Sequence, residues 1–181
     1  MNRLMLGGAA AIALAISGSG LSANPMVGGA PMYSTKNIVQ NAVNSKEHTT
    51  LVAAVKAGGL VDTLSGKGPF TVFAPTNAAF AMLPAGTVET LVKPENKAEL
   101  DRILTYHVVP GRITAQQIAA MAAKQHGTAM LKTVEGEELK FAKDGGTWWV
   151  IDAKGNKARI TIPNVMQSNG VIHVIDTVLM P

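Results

Sequence analysis

The stretch Thr71-Val72-Phe73-Ala74-Pro75-Thr76-Asn77-Ala78-Ala79-Phe80 predicts a buried strand that turns directly into a helix. The residues from Phe70 to Phe73 are aromatic or β-branched, which suits a strand, and Pro75 cannot donate to a ladder, so pairing should stop there. Thr76 can then cap a helix of good helix formers, which Pro84 ends. Many proteins contain a strand-to-helix corner of this kind, so the rest of the chain must decide which fold contains it.

Helical patterns dominate the chain on both sides of this corner, up to about residue 124. Asn44 and Glu47 have the spacing of a capping box for a second helix, and Thr87 can cap a later one. Thr114 and Gln117 repeat the capping-box spacing. The first two thirds of the chain are therefore expected to be mostly short helices around one strand.

The last third of the chain has the pattern of a β-meander. Strand-like runs at residues 128–134, 139–142, 148–151, 158–162 and 171–179 are separated by turn-forming Gly, Asn and Asp residues. Helices first and strands last predict an α+β fold with the helices packed on an antiparallel sheet.

The amino-terminal residues have the composition of an export signal. Arg3 supplies a positive end, residues 4–16 are apolar, and small residues lead to a cleavage point after residue 23. The alternative is a membrane anchor, but the apolar run is shorter than the roughly 20 residues that a spanning helix needs. We expect a signal peptide at 1–23, a flexible Gly/Pro-rich lead-in at 24–36 and one domain at 37–181.

Composition narrows the classes of function. The chain has no cysteine, so its stability cannot depend on disulfides. After residue 23 it carries 15 basic and 12 acidic residues, and the basic ones are scattered singly. With no basic cluster and few aromatic residues, nucleic-acid binding is not expected, and neither is a membrane span in the mature chain.

Four segments, taken together and in order, resemble the fasciclin domain family. The string at 71–80 resembles its first signature box, and Tyr106-His107-Val108-Val109-Pro110-Gly111 resembles its central motif. Asn169-Gly170-Val171-Ile172-His173-Val174-Ile175-Asp176 resembles its closing box, and residues 37–68 resemble its helical opening. The likeness covers almost the whole mature chain.

The resemblance implies a fold, a set of motif residues and a role. The fold is a fasciclin-like wedge of antiparallel strands flanked by short helices, with the signature strand central and the final strand beside it. The role is adhesion-type contact without catalysis. The motif residues carried over to this sequence are Thr71, Phe73, Pro75, Asn77, Phe80, Tyr106, His107, His173 and Asp176.

Several of these side chains could in principle do chemistry. His107 and His173 could ligate a metal, but both fall on apolar faces, no third ligand has a recognisable spacing, and the family implies a structural role for His107. Asp176 and His173 point to opposite faces of a strand, and no nucleophile elbow accompanies them. The glutamates at 135, 137 and 138 favour a solvated turn over a calcium site. No metal and no cofactor are expected.

Two places are candidates for binding. Trp148 and Trp149 are adjacent in a predicted strand, so one ring faces outward unless something covers it. Asn164, Val165 and Met166 lie where some animal relatives carry an adhesion motif with an aspartate. Asn164 replaces that aspartate, which argues against recognition through an integrin's metal, and Val165 and Met166 are equally consistent with core packing.

These observations lead to a functional expectation with one alternative. We expect an exported, periplasmic or extracellular, non-enzymatic protein that contacts a protein or glycan partner on a cell surface or matrix. The alternative is a carrier of a small apolar ligand such as a lipid or sterol, with the seven methionines after residue 23 lining a pliable cavity. The sequence does not identify the partner or the oligomeric state.

Overall fold

The computed structural model describes residues 23–181, so the signal predicted for residues 1–23 lies outside the described range apart from its last residue. Within residues 23–181 no helix has both the length and the apolar character needed to cross a bilayer.

Nine strands and seven α-helices follow one another along this range. The strands are β1 (Met26–Val27), β2 (Ala30–Pro31), β3 (Phe70–Pro75), β4 (Val108–Pro110), β5 (Thr128–Lys132), β6 (Glu138–Asp144), β7 (Thr147–Ile151), β8 (Lys157–Gln167) and β9 (Gly170–Ile175). The helices are α1 (Ile38–Ala42), α2 (Thr49–Gly58), α3 (Val61–Ser65), α4 (Asn77–Ala81), α5 (Thr87–Leu91), α6 (Lys97–Tyr106) and α7 (Ala115–Lys124), with a 3-10 turn at Pro94–Asn96 before α6. The α+β class is confirmed.

Three helices begin at side chains that accept backbone N–H bonds. Thr76 caps α4, and Thr114 caps α7 in a capping box with Gln117, as the sequence predicts. Asn37 and Gln40 form another box at the start of α1. These caps satisfy backbone donors that a helix cannot pair internally, and so they fix where each helix starts.

Two other predicted caps are wrong. The residue before α2 is His48, which makes no side-chain capping bond, while the Asn44 side chain donates to the carbonyl of Gln40 at the end of α1. Helix α5 begins at Thr87 itself, after a left-handed Gly86.

The cap of α2 comes from the signature stretch instead. The Asn77 Oδ1 atom accepts bonds from the Thr50 backbone N–H (3.0 Å) and the Thr49 hydroxyl (3.2 Å). The Asn77 side-chain amide donates to the carbonyl of Lys46 (2.8 Å), and its backbone N–H donates to the carbonyl of Glu47 (2.7 Å). One asparagine therefore holds the start of α2 against the start of α4.

Seven strands form one mixed sheet in the order β4-β3-β9-β8-β7-β6-β5. Strand β9 lies beside β3, as the resemblance implies, but β3 is the second strand of the seven, next to the edge strand β4, and is not central. However, β3 and β9 run parallel, from the pair Phe70 and Gly170 to the pair Pro75 and Ile175, while every other pair in this sheet is antiparallel. The expectation of a purely antiparallel sheet is wrong at this pair, because the alternation of side chains along a strand does not encode its direction.

The sheet curls until its two edge strands meet. The Val134 N–H, just after β5, donates to the carbonyl of Val108 in β4 (2.8 Å). The enclosed core contains Phe73, Tyr106, Ile118, Leu139, Phe141, Val150 and Leu179, all of them almost fully buried. A second core lies between helices α1 to α6 and the other face of β3 and β9, where Val72, Ala74 and Ile172 are buried.

The segment at 24–36, expected to be a flexible lead-in, contains a short hairpin of β1 and β2. Val27 and Met32 are buried in the core under the helices. Gly28 takes the left-handed conformation (φ 57°), and a Cβ there would lie 2.4 Å from the Ser45 hydroxyl. Two apolar side chains and one close backbone approach therefore attach this segment to the domain.

We expect Asn77→Ala to lower the free energy of unfolding by about 1 to 2 kcal/mol, because the start of α2 loses the side-chain acceptor that Asn77 provides. Urea unfolding followed by circular dichroism measures the loss. Asn44→Ala is the matched control, since Asn44 is the cap that the sequence predicts, and it should change the stability by less than about 0.5 kcal/mol. A control loss as large as that of Asn77→Ala would contradict this account of α2.

Candidate functional site

The His107 imidazole is buried at the end of α6 and uses both of its nitrogens. Nδ1 lies 2.8 Å from the carbonyl of Ile103, which can only accept, so Nδ1 carries the proton. Nε2 then accepts from the Leu179 N–H (3.0 Å) near the carboxyl end of the chain. The backbone carbonyl of His107 accepts from the Phe73 N–H (2.9 Å). His107 therefore joins α6, β3 and the segment after β9, and no lone pair is left for a metal.

The second motif histidine, His173, is fully buried in β9, and both of its ring nitrogens also form hydrogen bonds. Nε2–H donates to the carbonyl of Ile113 (2.9 Å), and Nδ1 accepts from the Asn164 N–H (3.2 Å). Its ring stacks on Phe73 with centroids 5.4 Å apart. Burial lowers the pKa of His173 and lowers that of His107 to about 4, so both rings are neutral at physiological pH.

Asn164, a candidate contact residue, uses its polar groups inside the protein. It sits at an irregularity of β8 in the left-handed conformation (φ 57°), which asparagine tolerates better than most residues. Its Oδ1 accepts from the Ala115 N–H at the start of α7 (2.8 Å), and its side-chain amide donates to Gln116 Oε1 (3.0 Å). Asn164 therefore fastens β8 to α7.

Tyr106 and Asp152 tie the turn between β7 and β8 to the rest of the domain. The fully buried Tyr106 accepts at its hydroxyl from the Ala153 N–H (2.8 Å). Asp152 accepts from the Asn156 N–H at Oδ1 and from the Asn156 amide and the Met180 N–H at Oδ2. Sequence reasoning missed Asp152, although an aspartate shortly before Gly-Asn is a known turn-forming pattern.

The other motif residues are also internal contacts. The Thr71 hydroxyl donates to the carbonyl of Gly111 (2.7 Å) and accepts from the Ile113 N–H (2.9 Å). Pro75 is the last residue of β3, and Phe80 is buried under the helices. The Asp176 carboxylate, just after β9, binds the backbone N–H and the guanidinium of Arg159 (2.8 and 3.3 Å).

The glutamates near the β5–β6 turn are held by an arginine. Arg102 of α6 bonds Glu135 at 2.9 Å and Glu137 at 3.2 Å, and its guanidinium lowers the pKa of Glu135. Between residues 23 and 181 no group of three or more His, Cys, Asp or Glu side chains is placed to hold a metal ion.

The two tryptophans point to opposite faces of β7 and are both half-buried. Trp148 packs against the core enclosed by the sheet, whereas Trp149 lies on the outer face. Val165 is completely buried in the core under the helices, which removes it from the candidate contact residues. Met166 is half-buried.

Trp149 belongs to a broad surface that we call the outer meander face. Cross-strand partners place four rows of side chains on it, one of which contains Ala142, Trp149 and Arg159. The members of the face are Thr128, Met130, Lys132, Glu138, Lys140, Ala142, Asp144, Thr147, Trp149, Ile151, Lys157 and Arg159. Among the helices of residues 23–181, α7 is the one that packs on both β5 and β6, and it buries Ile118 and Ala122 in the enclosed core on the opposite side.

An apolar crevice lies among the helices. It has a volume of about 40 Å³ and is lined by residues of α1, α2, α3 and β3, with Lys56 and His107 as its polar members. A smaller crevice of about 20 Å³ adjoins it and shares Ile38, Ala42, Leu51 and Val72. Met32 is the one methionine that lines either crevice within the described part of the chain.

We expect the free energy of unfolding to fall as the pH drops from about 6.5 towards 4. In that window the unfolded chain binds protons that the buried, neutral histidines exclude, so stability is fully present above it and is lost on acidification. His107 alone should contribute about 3 kcal/mol. Urea unfolding at a series of pH values measures the slope.

His107→Gln should be less stable at pH 7 and should show a smaller loss than the wild type between pH 6.5 and 4. The exposed His126 provides the control, since His126→Gln removes a histidine that the fold does not bury. An unchanged slope in His107→Gln would contradict the proposed burial of a neutral His107.

We expect Asn164→Ala to lower the stability by about 2 kcal/mol, because alanine loses the bond to α7 and disfavours the left-handed backbone. Asn164→Asp keeps an acceptor beside the helix N-terminus and should stay within about 0.5 kcal/mol of the wild type. Urea unfolding distinguishes the two, and equal stability of both variants would show that Asn164 does not fasten β8 to α7.

Comparisons with known proteins agree with this geometry. A model of the fasciclin domain matches residues 46–181. The chain is similar to protein sll1483 of Synechocystis sp., with 54% identity over 149 residues that cover 82% of this chain and 75% of that protein. It is also similar to the cell surface glycolipoprotein MPB83 of Mycobacterium bovis, with 39% identity over 147 residues that cover 77% of this chain and 58% of that protein.

A solved structure has the same fold. A FAS1 domain pair from the insect cell adhesion molecule fasciclin I superposes with a TM-score of 0.71 at 18% identity. The match covers 81% of this chain and 51% of that chain, so this chain spans about half of the domain pair. The family match, the identity to these relatives and the shared fold together establish that the chain belongs to the fasciclin domain family.

Proposed function

We propose that this protein is an exported, non-enzymatic module that attaches to a cell-surface or matrix component through its outer meander face. The observation that carries the proposal is the contrast between the two sides of the meander. Strands β5 to β8 bury one side against α7 and the enclosed core, while the other side exposes Met130 and half-exposes Trp149 and Ile151. Apolar side chains grouped on an uncovered face are typical of an interaction surface.

The geometry of the motif residues supports contact over catalysis. A general base or a nucleophile needs a free lone pair near a place where substrate can bind. Both nitrogens of His107 and of His173 are already bonded to protein groups, and both side chains are buried. The role of the motif side chains is thus to hold segments together.

The relatives support the same proposal. MPB83 is named a cell surface glycolipoprotein, and the structural match belongs to a cell adhesion molecule. An export signal at residues 1–23 would bring this chain to a comparable location. The proposal extends that location and that role to this protein.

A carrier of a small apolar ligand is the second candidate, favoured by the crevice among the helices. Ligand sites usually measure roughly 300 to 1,000 Å³. The crevice of about 40 Å³ is smaller by about an order of magnitude, so α1 would have to move away before a lipid or sterol could enter. Native mass spectrometry of protein isolated from its producing cells distinguishes the candidates, since a carrier retains an extra mass of a few hundred daltons.

We expect Trp149→Ala to weaken binding of the purified protein to the envelope and extracellular material of its producing cells by at least about tenfold. A sedimentation assay with fluorescently labelled protein measures this binding. Met82→Ala is the control, because Met82 is an exposed apolar residue (69% exposed) on a helix at a distance from the meander in the chain, and it should bind normally.

Both variants need to unfold at the wild-type temperature for the comparison to hold. Equal binding of the two variants would remove the outer meander face as the contact surface. Absence of binding by the wild-type protein would contradict the proposed function as a whole.

A further inference from the structure

We infer that the outer meander face binds an acidic polysaccharide, with carboxylates or sulfates on its basic side chains and a sugar ring on Trp149. This inference rests on the proposed function and specifies its partner class.

Basic residues outnumber acidic ones on this face. Lys132, Lys140, Lys157 and Arg159 are all exposed, against two carboxylates in its strands. These are Glu138, which lies opposite Lys132, and Asp144, which lies opposite Thr147 at the far end of β6, while Arg159 is already paired with Asp176. The three lysines take no part in the four ion pairs found within residues 23–181. Their ammonium groups therefore remain available to an external anion.

The charges are spread along the sheet. Lys140 and Lys157 lie in the same cross-strand row, on either side of β7. Two strand spacings put their backbones about 10 Å apart. A polysaccharide with an acid group on successive sugars presents charges at intervals along a chain, and such a chain can lie across the row.

Trp149 lies beside the row of Lys140 and Lys157, where it can contact a sugar ring of a polysaccharide bound along that row. It lies directly opposite Arg159, and it is diagonal to Lys140 and Lys157 on one side and to the carboxylate of Asp144 on the other. The face of an indole packs well against the C–H groups of a sugar ring, while the surrounding cations bind its acid groups. An aromatic ring and basic side chains are therefore near neighbours on the same face of the sheet.

The shape of the face favours a polysaccharide over a lipid bilayer. Membrane docking needs apolar side chains that project beyond their neighbours into the headgroup region. Here Trp149 and Ile151 are half-buried, and the exposed apolar side chain, Met130, lies directly opposite Lys140. The four basic side chains are all exposed. A chain molecule lying on the surface can contact both kinds of group, whereas a bilayer would meet the ammonium groups first.

The test measures binding of the purified protein to alginate, a polymer of uronic acids, by biolayer interferometry at 0.15 M salt. We expect saturable binding to alginate and none to neutral dextran. The double variant Lys140→Glu/Lys157→Glu should bind at least about tenfold more weakly. Trp149→Ala should bind about fivefold more weakly at unchanged melting temperature.

The control is Lys67→Glu/Lys93→Glu, which changes the net charge equally at two exposed lysines of the helical half. Because the Debye length at this salt is about 8 Å, charges remote from the ligand are screened, and the control should change binding by less than about threefold. The two charge-reversal variants replace exposed side chains and leave the cores intact.

Three results would overturn the inference. They are absence of alginate binding, an equal loss in the control, and binding to anionic phosphatidylglycerol vesicles or to oligothymidylate at least as tight as binding to alginate. If cell-envelope binding persists in Lys140→Glu/Lys157→Glu, the polysaccharide inference fails while the proposed contact function stands. If the wild type binds no envelope material, the proposed function itself fails.

Discussion

Strand β3 lies inside the sheet, between β4 and β9, because β9 pairs with it in parallel along its whole length. The partners are 100 residues apart in the chain, as in the pair Phe70 and Gly170, so this pairing closes almost the entire domain. The approach is close: a Cβ on Gly170 would lie 2.0 Å from the carbonyl oxygen of Phe70. The helices and strands that lie between β3 and β9 in the chain must therefore pack so that β9 can pair with β3.

Polar side chains, most of them buried, make that arrangement specific. His107, His173, Tyr106, Asn77 and Asp152 each bond backbone groups of segments that are distant in the chain. Such groups would otherwise be left without partners at the ends of helices and strands, at a cost of about 1 to 3 kcal/mol each. The motif residues resemble a catalytic set because histidine, tyrosine and aspartate are common in active sites. The same residue types are also good structural hydrogen-bonding groups, and that is the use they have here. The hydrogen bonds of these side chains to distant backbone groups explain what the motif does in the fold.

The local elements could be predicted from the sequence because their causes are local. Thr76 and Thr114 each cap a helix by accepting a hydrogen bond from the backbone N–H three residues later. The strands of the meander alternate apolar and polar side chains between turn-forming residues. The class of fold follows from their order. The resemblance to the fasciclin family added that β9 lies beside β3, which local patterns do not reveal.

The remaining features depend on contacts between distant segments. The cap of α2 is Asn77, which is 27 residues after the amide that it accepts from, and the direction of β9 relative to β3 leaves no trace in the side-chain pattern. The candidate site, too, could be predicted from the sequence only in part. Alternation along β7 predicted that one tryptophan faces outward, whereas the basic row beside Trp149 emerged only from the cross-strand register.

Native-state hydrogen exchange of the Leu179 amide tests the central claim most directly. This amide lies beyond the last strand, and among residues 23–181 the one group that accepts from it is His107 Nε2. If motif side chains fasten the end of the chain to β3, we expect the Leu179 amide to exchange with the same free energy of opening as the Phe73 amide of β3, equal to that of global unfolding. Fast exchange at Leu179 with a fully protected Phe73 would show that the end of the chain opens by itself, and would contradict the account.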